Sequence, residues 1–440
     1  MFKRKIYNKM KEWKDEVNGR SALLIRGARR VGKSTVVEEF AKNEYDSYIL
    51  IDFVKAPPEA IELFDDISDL DFLFLRLQAI FDVNLVEHRS AIIFDEVQKC
   101  PKARQAIKYL VKDGRYDYIE TGSLLSIRRN VKNIVIPSEE TRIDMYPMDF
   151  EEFLWACGKE VKAKTLKQLW EYQKPLGDAT HRSMMKEFRL YMLIGGMPQA
   201  VYTYLNTNNF KSVDYEKRSI LDLYEEDFNT IDARASMLFR ALPSQLSSNA
   251  FRFKVTNTLP DERYEQTTEL VSEMEDSRVI MLSRHSNDPA VGLALVEDLN
   301  YYKMFMLDTG LLTTMIYRDS NSTDDNLYIK LLSNKQHTNL GYVYENVVAQ
   351  MLKAKGDSLY YYTFPSETSN HKYEIDFIIS RENKICPIEV KSSNYKRHTS
   401  LDRFSEKFSE RISHRYIVYT KDLHKEQDIL CLPVYMVPYL

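Results

Sequence analysis

Cysteine, glycine and proline are all scarce in this chain. Its 440 residues include four cysteines, 13 glycines and 14 prolines, a composition typical of a globular protein. The cysteines (Cys100, Cys157, Cys386 and Cys431) form no CxxC pair, and the eight histidines show neither HxxxH nor HExxH spacing. This spacing is typical of reduced thiols in a cytoplasm, and it predicts neither a disulfide framework nor a zinc site.

Long apolar runs are also missing. No run approaches the roughly 20 residues needed to span a bilayer. The N-terminal MFKRKIYNKMKEWKDEV has basic residues without the apolar core of a signal peptide behind them. We therefore expect a cytoplasmic protein without a membrane partner. A formal net charge of -4 argues against a protein that coats nucleic acid, although it leaves room for a local basic face.

The first motif with clear chemistry is a phosphate-binding loop. SALLIRGARRVGKSTVVEEF (21–40) contains a short apolar strand, then GxxxxGK[ST], then a helical pattern. Backbone N–H groups of such a loop wrap phosphates, and the helix N-terminus adds a favourable dipole. We expect Lys33 to reach the β- and γ-phosphates and Ser34 to bind Mg²⁺. The predicted ATP-binding residues of this loop are Gly27, Arg30, Gly32, Lys33, Ser34 and Thr35.

Two further strands end in polar residues. The apolar run SAIIF leads into Asp95 and Glu96. We expect Asp95 to bind or orient Mg²⁺ and Glu96 to polarise an attacking water, an arrangement that favours hydrolysis over a small-molecule kinase. The next strand ends in ETGS, where Thr121 or Ser123 is a candidate sensor of the γ-phosphate. Strands that alternate with helices predict a parallel sheet with the nucleotide at its carboxyl edge.

The middle of the chain predicts two helical regions. Residues 159–232 are expected to form a helical lid with a turn at GGMP. Residues 233–320 combine helices with the strand-like segments RVIMLSR and YYKMFMLDTG, and this order predicts a winged-helix-like domain. The helix that would enter a DNA groove lies in DERYEQTTELVSEMEDS, whose acidity a phosphate backbone would repel. The sequence therefore favours a structural spacer over DNA recognition by this helix.

A second set of charged residues lies in EIDFIISRENKICPIEVKSS (374–393). Two adjacent antiparallel strands would bring Asp376 near Glu389, with Lys391 on the same face as Glu389. A Mg²⁺ ion held by these carboxylates could activate water, with Glu345 from the preceding helix completing its ligands. The alternative is a simple Glu389–Lys391 ion pair. Against it, charges embedded in apolar strands are costly unless they are paired or bound to a metal.

The landmarks taken together resemble a bacterial and archaeal family of AAA+-type P-loop ATPases whose C-terminal half is related to PD-(D/E)XK nucleases. They are GARRVGKST, FDEVQ, ETGS, TRIDMYPMDFEEFL, IGGMPQAV, KMFMLDTGLL, GYVYENVVAQML, EIDFII and PIEVKSS. The resemblance implies Walker A residues Gly27, Gly32, Lys33 and Ser34, Walker B residues Asp95 and Glu96, and a nuclease-like signature at Asp376, Glu389 and Lys391. Arg142 matches a family arginine that usually follows glycine, whereas Thr141 precedes it here. Arg142 is thus our candidate for an arginine that acts on the nucleotide.

The predicted fold class is α/β, with four domains. They are an AAA+-type P-loop ATPase core (1–158), a helical lid (159–232), a winged-helix-like domain (233–320) and a restriction-endonuclease-like α/β domain (321–440). The predicted function is ATP hydrolysis with Mg²⁺, with the nucleotide state controlling a Mg²⁺-dependent nuclease-like domain that acts on nucleic acid. The alternative is an ATP-dependent switch or scaffold whose nuclease-like domain is inactive and binds a partner. Because AAA-type sites often lie at a subunit boundary, self-association is a further expectation.

Overall fold

The computed structural model describes residues 1–122, 138–248, 250–262, 264–318, 341–366, 372–392 and 397–440. These residues form two units. The first comprises Met1–Tyr146 and Asp276–Arg278, and the second comprises Pro147–Glu275 and Val279–Leu440. Across the described ranges, no helix is long and apolar enough to cross a membrane.

The first unit is built on a parallel sheet. Its strands in the described ranges are β1 (Ala22–Arg26), β2 (Ser47–Asp52), β3 (Ser90–Asp95), β4 (Asp117–Gly122) and β5 (Glu140–Asp144). They lie in the order β2-β3-β4-β1-β5, with parallel pairing at each step. β3 is buried along its whole length, as expected for a parallel sheet covered on both faces. The predicted P-loop type of α/β sheet is therefore confirmed.

Helices surround this sheet. Those described in the first unit are Ile6–Val17, Lys33–Glu44, Pro58–Glu62, Leu70–Phe81 and Pro101–Asp113, with 3-10 turns at Leu63–Asp65 and Val97–Lys99. Helix Pro101–Asp113 starts with proline and ends at Gly114 in the left-handed conformation, two residue choices that favour a defined start and stop. Its apolar face packs with β2, β3 and β4 in one hydrophobic core.

The second unit contains a mixed sheet. Its described strands are β6 (Ile280–Ser286), β7 (Glu297–Met306), β8 (Tyr360–Pro365), β9 (Lys372–Arg381), β10 (Lys384–Lys391), β11 (Arg415–Tyr419), β12 (His424–Glu426) and β13 (Ile429–Pro433). The strand order is β12-β13-β11-β10-β9-β8-β6-β7. One face carries an aromatic and aliphatic core that includes Tyr362, Ile378, Ile417 and Phe404.

In the sequence, the helices of the second unit both precede β6 and follow β7. Those described are Phe150–Ala156, Glu160–Glu171, Asp178–Ile194, Pro198–Thr207, Phe210–Ile231, Ala233–Arg240, Leu242–Ser247, Val255–Thr258, Tyr264–Asp276, Thr309–Ile316, Gly341–Lys355 and Thr399–Phe408. Short 3-10 turns are found at Leu293–Leu295, Ser409–Arg411 and Val434–Tyr439.

The predicted winged-helix hairpin is part of the C-terminal sheet. β6 and β7 pair with each other as expected, but β6 also pairs in parallel with β8, with Arg284 opposite Tyr360 and His285 opposite Tyr361. This differs from a winged-helix-like domain that ends at residue 320, because backbone hydrogen bonds continue across that boundary. The predicted boundaries at 158 and 232 stay predictions.

Buried polar side chains also join the middle of the chain to the C-terminal part. Asp308 accepts a 2.6 Å hydrogen bond from the backbone N–H of Gly196 and another from Leu311. The Asn346 side chain bonds to Met306, and Gln350 accepts hydrogen bonds from Thr309. Buried groups of this kind are costly when left unpaired, so the network fixes the segments relative to one another. The GGMP turn is thus bound, through the N–H of Gly196, to the buried side chain of Asp308.

Candidate functional site

The phosphate-binding loop has the backbone that its glycines predict. Gly32 has a φ of 99°, a left-handed conformation that glycine adopts without steric cost, and the helix Lys33–Glu44 begins immediately after it. The Lys33 ammonium is buried and donates 3.0 Å hydrogen bonds to the carbonyl oxygens of Gly27 and Ala28. Burial lowers the pKa of Lys33, while the carboxylates of Glu96 and Asp95 oppose that shift.

The loop is held tightly by its neighbours. A Cβ added at Gly27 would lie 2.3 Å from the carbonyl oxygen of Met145, so only glycine fits there. The guanidinium of Arg4 donates hydrogen bonds to the carbonyl oxygens of Val31 (2.9 Å) and Tyr146 (2.6 Å). Sequence reasoning missed Arg4, since one arginine among several N-terminal basic residues carries no local signal. Arg4 is a positioning residue for the loop.

Asp95 is the centre of the candidate magnesium site. Its Oδ1 atom accepts a 2.8 Å hydrogen bond from the Ser34 hydroxyl and a second from the Thr121 hydroxyl. Thr121 in turn accepts a 3.3 Å hydrogen bond from the backbone N–H of Glu96. The carboxyl ends of β3 and β4 and the start of the phosphate-binding helix therefore meet at one carboxylate. A hydroxyl beside a carboxylate is a donor set that suits Mg²⁺.

Glu96 has an unusual backbone conformation for its residue type. Its φ of 54° is left-handed, which is uncommon for a residue with a Cβ and is found at functional turns. The amide of Gln98, which is buried, donates a hydrogen bond to Oε2 of Glu96. Gln98 was absent from the predicted site, although the FDEVQ motif contained it. Its contact orients the carboxylate that the sequence assigns to the attacking water.

The other predicted nucleotide residues that the structure describes lie on the loop, on the helix Lys33–Glu44 and on β5. Arg30 and Thr35 are exposed, and Arg30 is left-handed with a φ of 68°. The Arg142 Nε atom lies 3.3 Å from Oε2 of Glu140 on the same strand, β5. The predicted sensor Ser123 lies outside the described residues. Of the two sensor candidates, only Thr121 is therefore among the described residues, and its hydroxyl donates a hydrogen bond to Asp95.

In the second unit, the predicted hairpin brings its carboxylates to facing positions. Ile388 lies opposite Phe377 in the β9–β10 register, so Glu389 faces Asp376 across the two strands. The two side chains have different partners, however. Asp376 Oδ2 accepts a 2.7 Å hydrogen bond from the backbone N–H of Val390, and Glu389 is paired with Lys391 at 2.5 Å. Burial raises the pKa of Glu389, and Lys391 opposes this shift.

A lysine from β7 lies among the other carboxylates. The Lys303 ammonium is 2.7 Å from Oε1 of Glu374 and 3.2 Å from Oε2 of Glu345. Burial alone would lower the pKa of Lys303, but the carboxylates of Glu345, Glu374 and Asp376 together raise it above its ordinary value. Burial, and then the charge of Glu345, raise the pKa of Asp376 well above its usual range.

The predicted magnesium ligands of the C-terminal part do not converge. In the described ranges, the ligand oxygens of Glu345, Asp376 and Glu389 do not form a group within 4.8 Å of one another. Lys303 supplies positive charge to Glu345 and Glu374 in this arrangement. Sequence reasoning missed Lys303 because the pairing of β6 with β8 brings it to the site. Glu374 had a signal, since it starts the EIDFII motif.

A cavity opens beside Lys303. Its lining residues are Gln245, Leu246, Ala250, Arg252, Phe253, Lys303, Met304, Glu345 and Glu374. Two cationic and two anionic side chains therefore line the same wall. A wall of mixed sign differs from the basic groove that a nucleic-acid backbone requires.

Comparison with known families divides the chain into three parts. Residues 19–154 match the model of the AAA domain family (AAA_14). Residues 185–322 and 340–437 match two families described as domains of unknown function, DUF8612 and DUF4143. The first match covers β1 to β5 and every described residue of the candidate nucleotide site except Arg4. A comparison with curated proteins found no match.

Several solved structures are similar to the chain at low identity. A Walker-type ATPase of Pyrococcus abyssi is 17% identical, with a TM-score of 0.43, and the match covers 72% of this chain and 96% of that one. A signal transduction ATPase with numerous domains and a tetratricopeptide repeat sensor, from Pyrococcus horikoshii, is 14% identical, with a TM-score of 0.28 and coverage of 78% and 47%. The Aeropyrum pernix ORC1 protein in complex with DNA is 12% identical, with a TM-score of 0.27 and coverage of 72% and 93%.

All three TM-scores are below 0.5, so these similarities say nothing about the activity of this chain. The family match, the parallel sheet and the loop geometry agree with one another independently of these structures. Residues 19–154 of this chain are an AAA domain of the P-loop ATPase type.

Proposed function

We propose that the first unit binds ATP with Mg²⁺ and hydrolyses the nucleotide. The observation that carries this proposal is the shared acceptor Asp95, which receives hydrogen bonds from Ser34 and Thr121. A hydroxyl in contact with a carboxylate, at the start of a phosphate-binding helix, is the donor set that P-loop enzymes use for Mg²⁺. When bound, the cation would neutralise charge that develops on the transferred phosphoryl group.

Each side chain has a defined task in this proposal. The Lys33 ammonium donates hydrogen bonds to the carbonyl oxygens of Gly27 and Ala28. When ATP binds, it turns from these oxygens toward the β- and γ-phosphates. The Glu96 carboxylate accepts a hydrogen bond from the attacking water, in an orientation that Gln98 supports. Hydrolysis therefore rests on Glu96, whereas nucleotide binding rests on Lys33.

We further propose that the nucleotide state controls the second unit. Two candidates exist for what that unit does. The first is Mg²⁺-dependent cleavage of nucleic acid by Asp376, Glu389 and Lys391. Facing positions of Asp376 and Glu389 on β9 and β10 support it.

The second candidate is a switch or scaffold whose nuclease-like domain binds a partner without cutting. One specific observation favours it over cleavage. Lys303 forms buried ion pairs with both Glu345 and Glu374, and Glu389 is paired with Lys391. Each lysine supplies positive charge that a buried carboxylate would otherwise need from a bound metal. We therefore favour the switch or scaffold.

A nucleotide assay tests the ATPase proposal. We expect Lys33→Ala to lose ATP binding, and Glu96→Gln to bind ATP while hydrolysis falls by about 10²–10⁴-fold, the range for a lost general base. Binding is measured with a fluorescent ATP analogue and hydrolysis by phosphate release. A wild-type chain that binds no nucleotide in the presence of Mg²⁺ would refute the proposal. Unchanged hydrolysis in Glu96→Gln would show that Glu96 does not activate the attacking water.

A cleavage assay separates the two candidates for the second unit. Single-stranded DNA, double-stranded DNA and RNA are incubated with the full chain and Mg²⁺ or Mn²⁺, with and without ATP. The scaffold predicts no cleavage by either wild type or Glu389→Ala. Cleavage by wild type that Glu389→Ala abolishes would establish the nuclease, and a further change in Lys33→Ala would link it to the nucleotide.

A further inference from the structure

Three potential metal ligands of different chemistry meet at β12 and β13. His424 and Glu426 lie two residues apart on β12, so their side chains point to the same face. The antiparallel register places Cys431 of β13 directly opposite His424. One ligand atom from each of these three residues lies within 4.8 Å of the other two. No other group of three or more such side chains meets this limit within the described ranges.

A neighbouring tyrosine fixes the imidazole of His424. The Tyr419 hydroxyl donates its only proton to the carbonyl oxygen of Asp422. Its 2.6 Å contact with Nδ1 of His424 must therefore be one in which Nδ1–H is the donor. The neutral ring then has its lone pair on Nε2, the atom that lies 4.0 Å from Oε2 of Glu426. Metal-binding histidines are commonly oriented in this way by a hydrogen bond at the other ring nitrogen.

We propose that His424, Glu426 and Cys431 form a binding site for a divalent cation of the Zn²⁺ class. A thiolate and an imidazole favour Zn²⁺ over the hard cations Mg²⁺ and Ca²⁺, and a carboxylate oxygen is an accepted third ligand. The cation takes the place of the Cys431 thiol proton, which leaves to solvent. Three protein ligands leave the fourth tetrahedral position to water.

The position of the site in the sheet explains what the cation does. β12 has three residues and pairs with β13 at the end of the strand order, so few backbone hydrogen bonds hold it. His424 and Glu426 are exposed and give the cation a route of entry, whereas Cys431 is buried. A cation shared by both strands fastens β12 to β13. The spacing of cysteine and histidine in the sequence predicted no zinc site, because no standard motif separates residues 424, 426 and 431.

Cobalt substitution of the full chain tests the site. The protein is first freed of metal by dialysis against a chelator, and Co²⁺ alone is then added without nucleotide. We expect a thiolate-to-cobalt charge-transfer band that is absent in Cys431→Ser and present in Cys157→Ser, a control that keeps the other three thiols. Lys33→Ala is expected to retain the band, which separates this site from the nucleotide site.

Competition for Zn²⁺ with a chromophoric chelator gives the affinities. We expect His424→Ala and Glu426→Gln to weaken Zn²⁺ binding about tenfold or more, and Tyr419→Phe to weaken it about 10–100-fold, as for other residues that orient a metal ligand. Because His424 and Glu426 are exposed, these two variants test the site even if Cys431→Ser fails to fold. Unchanged affinity in both His424→Ala and Glu426→Gln would overturn the proposal, as would a cobalt band that persists in Cys431→Ser.

Discussion

The Nζ atom of Lys303 lies 2.7 Å from Oε1 of Glu374, and both side chains are largely withdrawn from solvent. The same ammonium lies 3.2 Å from Oε2 of Glu345. One cation from β7 therefore serves two carboxylates, on β9 and on the helix Gly341–Lys355. Removal of one partner of a buried ion pair costs about 3–5 kcal/mol, because the opposite charge stays buried without a partner.

Lys303→Met is therefore expected to lower the free energy of unfolding by about 3–5 kcal/mol. Urea unfolding measures this change, and the double variant Lys303→Met/Glu374→Gln should recover part of it because it also removes one of the orphaned charges. Lys102→Met, which removes an exposed ion pair with Asp65, is the control and should change stability by about 1 kcal/mol or less. A Lys303→Met protein as stable as wild type would contradict the role given to this lysine.

The same variant reports on divalent cations. Without the ammonium, the carboxylates of Glu345 and Glu374 lose their shared cation and become available to Mg²⁺. We expect added Mg²⁺ to raise the stability of Lys303→Met more than that of wild type, since a ligand that binds only the folded state stabilises it. If Mg²⁺ stabilises the two proteins equally, these carboxylates do not bind the cation.

The contact between Thr121 and Asp95 gives a prediction for the nucleotide site. Thr121→Val keeps the shape of the side chain but removes its hydrogen bonds to Asp95 and to the backbone N–H of Glu96. Loss of a group that orients a metal ligand typically reduces metal affinity or activity by about 10–100-fold. We expect that loss in Mg²⁺-dependent ATP hydrolysis, with Thr165→Val on an exposed helix face as the control. Hydrolysis at the wild-type rate would remove Thr121 from the site.

The buried carboxyl group of Glu120, which precedes Thr121 on β4, is expected to carry a proton. Burial, and then the neighbouring charge of Glu140, raise the pKa of Glu120 well above its usual range. Arg104, also buried, pairs with Glu140 at 2.9 Å. A protonated Glu120 can donate to Glu140, which accounts for a fully buried acid on β4. Glu120→Gln keeps a donor at this place and removes no charge that is present at neutral pH.

We therefore expect Glu120→Gln to leave the free energy of unfolding at neutral pH nearly unchanged. Arg104→Met should lower it by up to about 3–5 kcal/mol, because Glu140 would lose its buried cation and keep only the more exposed Arg142. Denaturant unfolding of the two variants, made in parallel, measures the contrast. Equal losses in both would show that Glu120 is ionised in the folded protein.

Much of the first unit could be predicted because its signals are local. The apolar runs before Gly27, Asp95 and Thr121 end within about three residues of the ends of β1, β3 and β4. Parallel strands then bring their carboxyl ends to one edge, so the contact of Ser34 with Asp95 follows from the motifs. The role of Thr121 was less accessible, since a strand-end threonine can face either the nucleotide or a neighbouring carboxylate.

The second unit was harder to predict because its key contacts are not local. The β9–β10 hairpin and the facing positions of Asp376 and Glu389 follow from two apolar runs and a short turn. Lys303 reaches the same cluster only because β6 pairs with β8, and no sequence pattern specifies that pairing. β12 is too short to show an alternating pattern, so the position of His424 beside Cys431 was equally hidden.

The last prediction concerns acid stability and rests on His181. Its Nε2 atom faces the carbonyl oxygen of Thr420 at 3.2 Å, so this nitrogen holds the proton, and Nδ1 accepts from the Tyr435 hydroxyl at 2.7 Å. Burial lowers the pKa of His181 below its ordinary 6.5. A depressed folded-state pKa contributes stability that is present above the unfolded value and is lost as the pH falls toward the folded one.

The free energy of unfolding should therefore fall below about pH 6.5, by at most about 1.4 kcal/mol per pH unit from this one group. His181→Gln has no proton to gain, so its stability should fall less steeply over the same range. Urea unfolding between pH 7 and pH 5 measures both slopes, with the exposed His414→Gln as the control. His285 is present in all three proteins and cancels in the comparison. Parallel slopes for wild type and His181→Gln would mean that the contacts of His181 survive its protonation.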